Sequence, residues 1–293
     1  KYVSIKPVGS YNFRQHLKPI VIFFAMSCAA TIYTNLDTVM LGFMTSDAEV
    51  GYYNAAVKIK SILVSVVTSL GVVLLPRASY YVECKLMDKF CRITHVALNF
   101  VILISVPLTV YFILFAKEGI FFLSGAEYEA SIVPMQIIMP TLLFIGLTNI
   151  MGIQTLIPLG KEKVVLYSEI AGAVADLLLN VALIPSMASA GAAIGTVVAE
   201  GVVFAVQFWA LRKEVLSSYQ KVRYGTIVLA LALAIASCLW VKTTALGSFA
   251  SLLVSAILFF AVYGGVLVLR KEPLAWQMAE KVRQMLFKKR KIG

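Results

Sequence analysis

A bilayer offers a bare backbone nothing to hydrogen-bond with, so a chain that crosses it must do so as helices or as a closed barrel. This sequence carries eight apolar runs of the required kind, at about residues 20–44, 52–75, 95–115, 132–157, 164–184, 190–211, 225–241 and 247–269. Each approaches the roughly 20 residues that span about 30 Å of hydrocarbon. The runs lack the alternation of a membrane strand and are too continuous for soluble core strands. The fold class that follows is all-α, a polytopic helical membrane protein with about eight transmembrane helices. Composition agrees: 60% of residues are hydrophobic and 14% charged, with a mean hydropathy of +0.88, whereas a soluble domain is about a quarter charged.

A net charge of +11 would suggest nucleic acid in a soluble domain, so the placement of the basic residues decides. Of 26 Lys and Arg, 22 lie at the two ends and in the loops 76–94, 158–163 and 212–224. The alternate loops hold only Lys117 and Lys242, and Lys58 and Lys60 fall inside the second run. Basic loops stay in the cytoplasm, so both termini of the chain are expected there and no nucleic-acid partner is implied. Asp47, Glu49, Glu118, Glu127 and Glu129 fall on the other face. The first residue is Lys rather than Met, and residues 1–19 are polar and basic, so a piece of a longer protein without a signal peptide is expected. Cys84, Cys91 and His95 match no common zinc spacing; neither a metal centre nor a cofactor is expected.

A charge at the membrane centre costs at least about 2.5–3.5 kcal/mol on insertion scales, which makes each one a functional candidate. Six stand out: Asp37, Lys58, Lys60, Glu169, Asp176 and Glu200. In the second run Asn54, Lys58, Ser61, Ser65, Thr68 and Ser69 share about 100° of helical arc, while Lys60 points about 160° away from Lys58. Lys58, with Asn54 and Ser65, is therefore the expected cavity-lining cation, and Lys60 is read as snorkelling, ion-paired or functional. In the fifth run Glu169, Gly172, Asp176 and Asn180 stack on one face, with Glu169 and Asp176 about 10 Å apart along it. Thr196, Glu200 and Gln207 share a face of the sixth.

Glu169, Asp176 and Glu200 are expected to line a cavity, whereas Thr141, Thr148 and Thr155 suit packing between helices. Asp37 is a lumenal acid or a partner for Lys58 or Lys60. The last two runs hold no ionisable group at depth and are expected to sit peripherally. Pro107, Pro134 and Pro140 are candidate breaks.

The run from Ile32 through Asn35-Leu36-Asp37-Thr38 to Gly42, then Val50-Gly51-Tyr52-Tyr53-Asn54 and Lys58-Ile59, resembles the middle of oligosaccharide flippases. These are the Wzx-type members of the polysaccharide transporter branch of the multidrug/oligosaccharidyl-lipid/polysaccharide exporter superfamily. Leu74-Leu75-Pro76-Arg77, Leu156-Ile157-Pro158-Leu159-Gly160-Lys161, Asn180 to Pro185 and Gly191 to Thr196 are similar to the same family, over about residues 14–215. The resemblance implies a fold of two six-helix lobes, of which this chain holds the second plus two helices, the N-terminal lobe being missing. The division expected is a cytoplasmic lead-in at 1–19, the six-helix lobe at 20–211, two further helices at 212–269 and a basic tail at 270–293. The implied activity is alternating-access flipping of a polyprenyl-diphosphate-linked oligosaccharide across the bacterial cytoplasmic membrane, for cell-surface polysaccharide synthesis. Cationic residues would line the cavity and an H+ or Na+ gradient would drive the cycle.

Lys58, Asn54, Asp37 and Ser65 fit the substrate pathway, whereas Glu169, Asp176 and Glu200 suit coupling to a cation. A cation-coupled multidrug exporter is the alternative within the superfamily. A polytopic enzyme of polysaccharide assembly is the other, but no catalytic motif supports it, so no enzyme is expected.

Overall fold

The computed structural model describes residues 14–219, 223–244 and 247–289; the sequence features at 1–13 lie outside them. The order is α1 (Arg14–Met44), α2 (Asp47–Glu83), α3 (Met87–Leu114), α4 (Ala116–Leu123), a 3-10 turn (Ala126–Ser131), α5 (Ile132–Ile138) and α6 (Thr141–Thr148). A π-helical segment (Asn149–Leu156), α7 (Glu162–Tyr219), α8 (Tyr224–Cys238), a 3-10 segment (Leu239–Thr243), α9 (Ser248–Leu269) and α10 (Pro273–Lys289) follow. No strand occurs among the described residues.

Among the described residues five helices, α2, α3, α7, α8 with its 3-10 extension, and α9, are long and apolar enough to cross a membrane. The pair 126–138 and 141–156, bent by 47°, is also long and apolar enough when taken together. The 31 residues of α1 cover the first apolar run. The chain is a multi-pass helical membrane protein.

The 58 residues of α7 would extend about 87 Å as one rod, nearly three bilayers. They do not. The backbone at Ala188 has φ 46° and ψ −126°, three residues after Pro185, and the chain doubles back. Ser168 and Gln207 are hydrogen-bonded at 3.0 Å, Gly172 lies against Val203, Gly195 against Asn180 and Gly191 against the Leu183 carbonyl. The two limbs are therefore the fifth and sixth apolar runs of the sequence, zipped antiparallel. Glycine permits the approach, since a Cβ on Gly191 would sit 2.7 Å from the Leu183 carbonyl oxygen. On the same membrane face as this reversal, the Glu49 carboxylate accepts the Ser189 amide at 3.1 Å.

The prolines act unequally. Pro107 leaves α3 continuous and Pro134 sits in the first turn of α5, where a missing amide costs nothing. Pro140 marks the 47° bend. Beyond it the helix widens: Ile157 donates to the Gly152 carbonyl at 3.1 Å, Thr155 Oγ1 to Ile150 at 2.8 Å and Gln154 to Asn149 at 3.1 Å, all five residues apart.

Two stretches without a predicted helix are helical. Residues 116–123 form α4 because Ala116, Gly119 and Ile120 are buried. The basic tail contains α10, started by Glu272, whose Oε2 accepts the amides of Leu274 and Ala275, both at 2.9 Å, with Pro273 in the first position. Asn99 holds the other oxygen at 3.2 Å. The pair α8 and α9 packs on α3 and α4 around Tyr111, Phe115, Phe259 and Tyr263, while α1, α2, α5 and the limbs of α7 enclose a second core around Tyr53, Met139 and Ile184.

Candidate functional site

The second core contains a knot of polar groups. Asp37, on α1 and 3% exposed, accepts from the hydroxyl of Tyr53 on α2. Asn180 Nδ2 on the first limb of α7 donates to its other oxygen at 2.6 Å. Thr196 Oγ1 on the second limb lies 2.8 Å from Asp37 Oδ2 and 2.9 Å from the Tyr53 hydroxyl. Three helices are thus tied at one carboxylate, whose hydrogen-bond donors are hydroxyls and an amide, while Lys60 acts on it through charge alone.

Asp176 is different. It is fully buried one turn before Asn180, and neither carboxylate oxygen has a hydrogen-bond partner; Asn180 Oδ1 is likewise orphaned. Asn180 Oδ1 and Asp176 Oδ1 converge on Gly195, where a Cβ would lie 2.5 Å from the first and 3.1 Å from the second. A buried carboxylate without donors is strongly unfavourable while ionised. Carboxylate, amide and hydroxyl oxygens turned inward suit a proton or a small hard cation. Among the described residues no three His, Cys, Asp or Glu side chains are placed to hold a metal ion.

A cavity of about 520 Å³ lies between α1, α2, α6 and the limbs of α7, with Asn35, Lys60, Asn149, Glu169, Glu200 and Gln207 among its walls. This volume is in the range of small-molecule sites. The structure brings Glu169 and Glu200 together here, from opposite limbs of the α7 hairpin, and sets Asp176 apart with Asp37. Gln207, on the Glu200 face, is anchored by Ser168. Thr141 donates to the Ile138 carbonyl of α5 across the Pro140 bend and Thr155 to a carbonyl of its own segment, as packing residues do, and Thr148 donates within α6 on the cavity wall.

Of the two lysines, Lys60 lines the cavity and Lys58 is exposed, the reverse of the helical-arc expectation. The reason lies in the hydroxyls. Ser61, Ser65 and Thr68 donate to carbonyls four residues back on α2, at 2.8–3.0 Å, so the helix itself satisfies them and they need no interior. The face turned inward is Tyr53, Ala56, Ile59, Leu63, Val67 and Gly71, with Lys60 at its edge. Asn54, Lys58, Ser61, Ser65 and Ser69 form an exposed polar stripe beside the cavity, and Asn54 Oδ1 accepts from Thr38 at 3.3 Å. The sequence marks Tyr53 only as part of the family-like run Val50 to Asn54, since one tyrosine at the start of an apolar run carries no periodic signal.

The family model described as polysaccharide biosynthesis protein matches residues 8–82. No curated protein matches the chain. The fold is similar to that of the lipid II flippase MurJ in an inward closed conformation, with a TM-score of 0.73 over 92% of this chain at 15% identity. The chain spans 57% of the length of that protein. The family match falls on the α1–α2 region, where the sequence resemblance also lies, and the likeness to the solved structure shows the fold.

Proposed function

We propose that the chain is the second half of a flippase that moves a polyprenyl-diphosphate-linked oligosaccharide across the bacterial cytoplasmic membrane by alternating access, driven by an H+ or Na+ gradient. The observation that carries this reading is Asp176, with no hydrogen-bond donor, beside Asp37, which is contacted by three side chains. One carboxylate anchors three helices, and the other can gain or lose a cation without breaking that anchor. Binding at Asp176 would draw α1 and the α7 hairpin together and release would loosen them, which is the differential interaction a two-state transporter requires. Lys58, Asn54 and Ser65, on the exposed stripe of α2, would meet the diphosphate and sugars from the side where the other lobe completes the pathway. Lys60, Glu169 and Glu200 would exchange charge with water in the cavity. This assigns transport, with no bond made or broken in the substrate, and no cofactor. The acidic cavity also suits a cation-coupled exporter of organic cations, as the second reading.

The test is transport by the full-length protein in proteoliposomes with an imposed H+ or Na+ gradient, using lipid-linked oligosaccharide and a cationic dye as alternative cargoes. Asp176→Asn should keep expression and insertion while gradient-driven flipping falls to background, and Asp37→Asn should weaken both folding and transport. Normal, gradient-dependent flipping by Asp176→Asn would remove the coupling assignment. Dye transport without lipid flipping would favour the exporter.

A further inference from the structure

A second polar pocket lies at the membrane face where α3 ends and α9 begins, and it shares no residue with the Asp37 knot or the Lys60 cavity. Its volume is about 280 Å³, and Lys117, Glu118, Lys242, Thr244, Ser248 and Ser251 supply its polar lining. The two lysines come from α4 and from the 3-10 segment after α8. Each ammonium rests 5.3 Å from an aromatic centroid, Lys117 over Phe121 and Lys242 over Phe115, and ring faces hold cations by their quadrupole. Lys117 also reaches Glu129 at 4.0 Å, both side chains being more than half exposed, a pair too solvated to hold the ammonium firmly. Two like charges are therefore kept at one opening beside hydroxyl groups, an arrangement that suits a phosphate. Glu118 adds the opposite demand, because its Oε2 is buried without a hydrogen-bond partner and wants a cationic or N–H donor.

Depth narrows the choice. The pocket opens at the first residue of the 22-residue apolar helix α9, level with the bilayer boundary. Around it Trp240, Phe122 and Phe249 are exposed at 53%, 49% and 57%, with Phe122 and Phe249 in ring contact at 5.1 Å. Exposed aromatics at such a level mark the headgroup zone. The cavity falls short of the roughly 300–1,000 Å³ that enclose a whole small molecule, but it accommodates a headgroup whose chains stay in the lipid.

We propose that this pocket binds the headgroup of an aminophospholipid, with its phosphate between Lys117 and Lys242 and its amine against Glu118. The assignment is independent of what the protein transports.

Native mass spectrometry of the full-length protein, titrated with phosphatidylethanolamine or phosphatidylglycerol, tests it. Phosphatidylethanolamine should be retained preferentially. Glu118→Gln should cut that preference by roughly tenfold, the scale of one charge-assisted contact, while leaving phosphatidylglycerol retention unchanged, which also reports an intact fold. The double variant Lys117→Gln/Lys242→Gln should release both lipids. Soluble glycerophosphoethanolamine should compete weakly and inorganic phosphate not at all. Equal retention of the two lipids, an unaltered preference in Glu118→Gln, unchanged binding by the lysine double variant, or effective competition by inorganic phosphate would each overturn the proposal.

Discussion

Two buried polar regions of this molecule follow opposite rules. Between α3 and the α8–α9 pair, the tyrosine hydroxyls and the Glu272 carboxylate are matched, and what is left without a partner is neutral, Asn99 Oδ1 and Ser105 Oγ. The Tyr111 hydroxyl bonds the Leu252 carbonyl at 2.8 Å and Ser255 Oγ at 2.9 Å, the Tyr263 hydroxyl bonds the Leu103 carbonyl at 3.1 Å, and Asn99 reaches Glu272. Between α1 and the α7 hairpin, Asp37 is saturated while its neighbour Asp176 is left with no donor. Matched groups fix how helices pack in lipid. An unmatched carboxylate buried inside such a bundle is unstable unless something completes it, so the two regions differ in the kind of group they leave open.

The strongest way to break this comparison is to fill the space beside Asp176. A side chain at Gly195 would collide with Asn180 Oδ1 at 2.5 Å and crowd Asp176, so Gly195→Val should abolish gradient-driven flipping and destabilise the protein by about 1–3 kcal/mol, the scale of overpacking. Thermal unfolding in detergent and the proteoliposome assay read the two effects separately. Full transport by this variant would mean that the space beside Asp176 is not used.

A subtler pair of changes sharpens the contrast, because Tyr53→Phe and Tyr111→Phe remove the same atom from the two regions. Each loses a buried hydroxyl contact, at about 1–3 kcal/mol where a partner is left unsatisfied. At Tyr53 the abandoned partner is the Asp37 carboxylate, and coupled transport should fall by roughly tenfold, the kinetic equivalent of about 1.4 kcal/mol. At Tyr111 the abandoned partners are a carbonyl and a serine; unfolding should shift to lower temperature while the flipping rate per folded molecule stays unchanged.

The spans were legible because length and apolarity alone decide what a bilayer admits. The sharing of faces by Asp176 with Asn180 and by Thr196 with Glu200 was legible because helical spacing is fixed within a span. Which spans would meet was not. Asp37 finds Tyr53, Asn180 and Thr196 from three other segments, and no periodicity within one helix encodes such a meeting. The face of α2 turned into this chain's own core is not the one the polar spacing suggests, because hydroxyls that bond their own helix look, in a sequence, like hydroxyls awaiting water. The Glu272-Pro273 start of α10 does carry a local signal, an acceptor followed by proline, but it was hidden within a basic tail.

The smallest structural effect is expected on the exposed stripe of α2, and it decides what that stripe is for. Ser65 is exposed, and its hydroxyl returns to the Ser61 carbonyl at 3.0 Å; Lys58 is exposed too. Truncating such surface groups usually moves stability by no more than about 0.5 kcal/mol, so Ser65→Ala and Lys58→Ala should unfold with the parent protein. Transport is where they should diverge. A cation that meets a diphosphate makes a charge-assisted contact that an internally bonded serine does not, so Lys58→Ala should lower flipping markedly, Lys58→Arg should restore much of it, and Ser65→Ala should change little. If Lys58→Ala transports normally while Lys60→Ala does not, the stripe is only a solvated or lobe-facing surface, and the cation that matters lies in the cavity with Glu169 and Glu200.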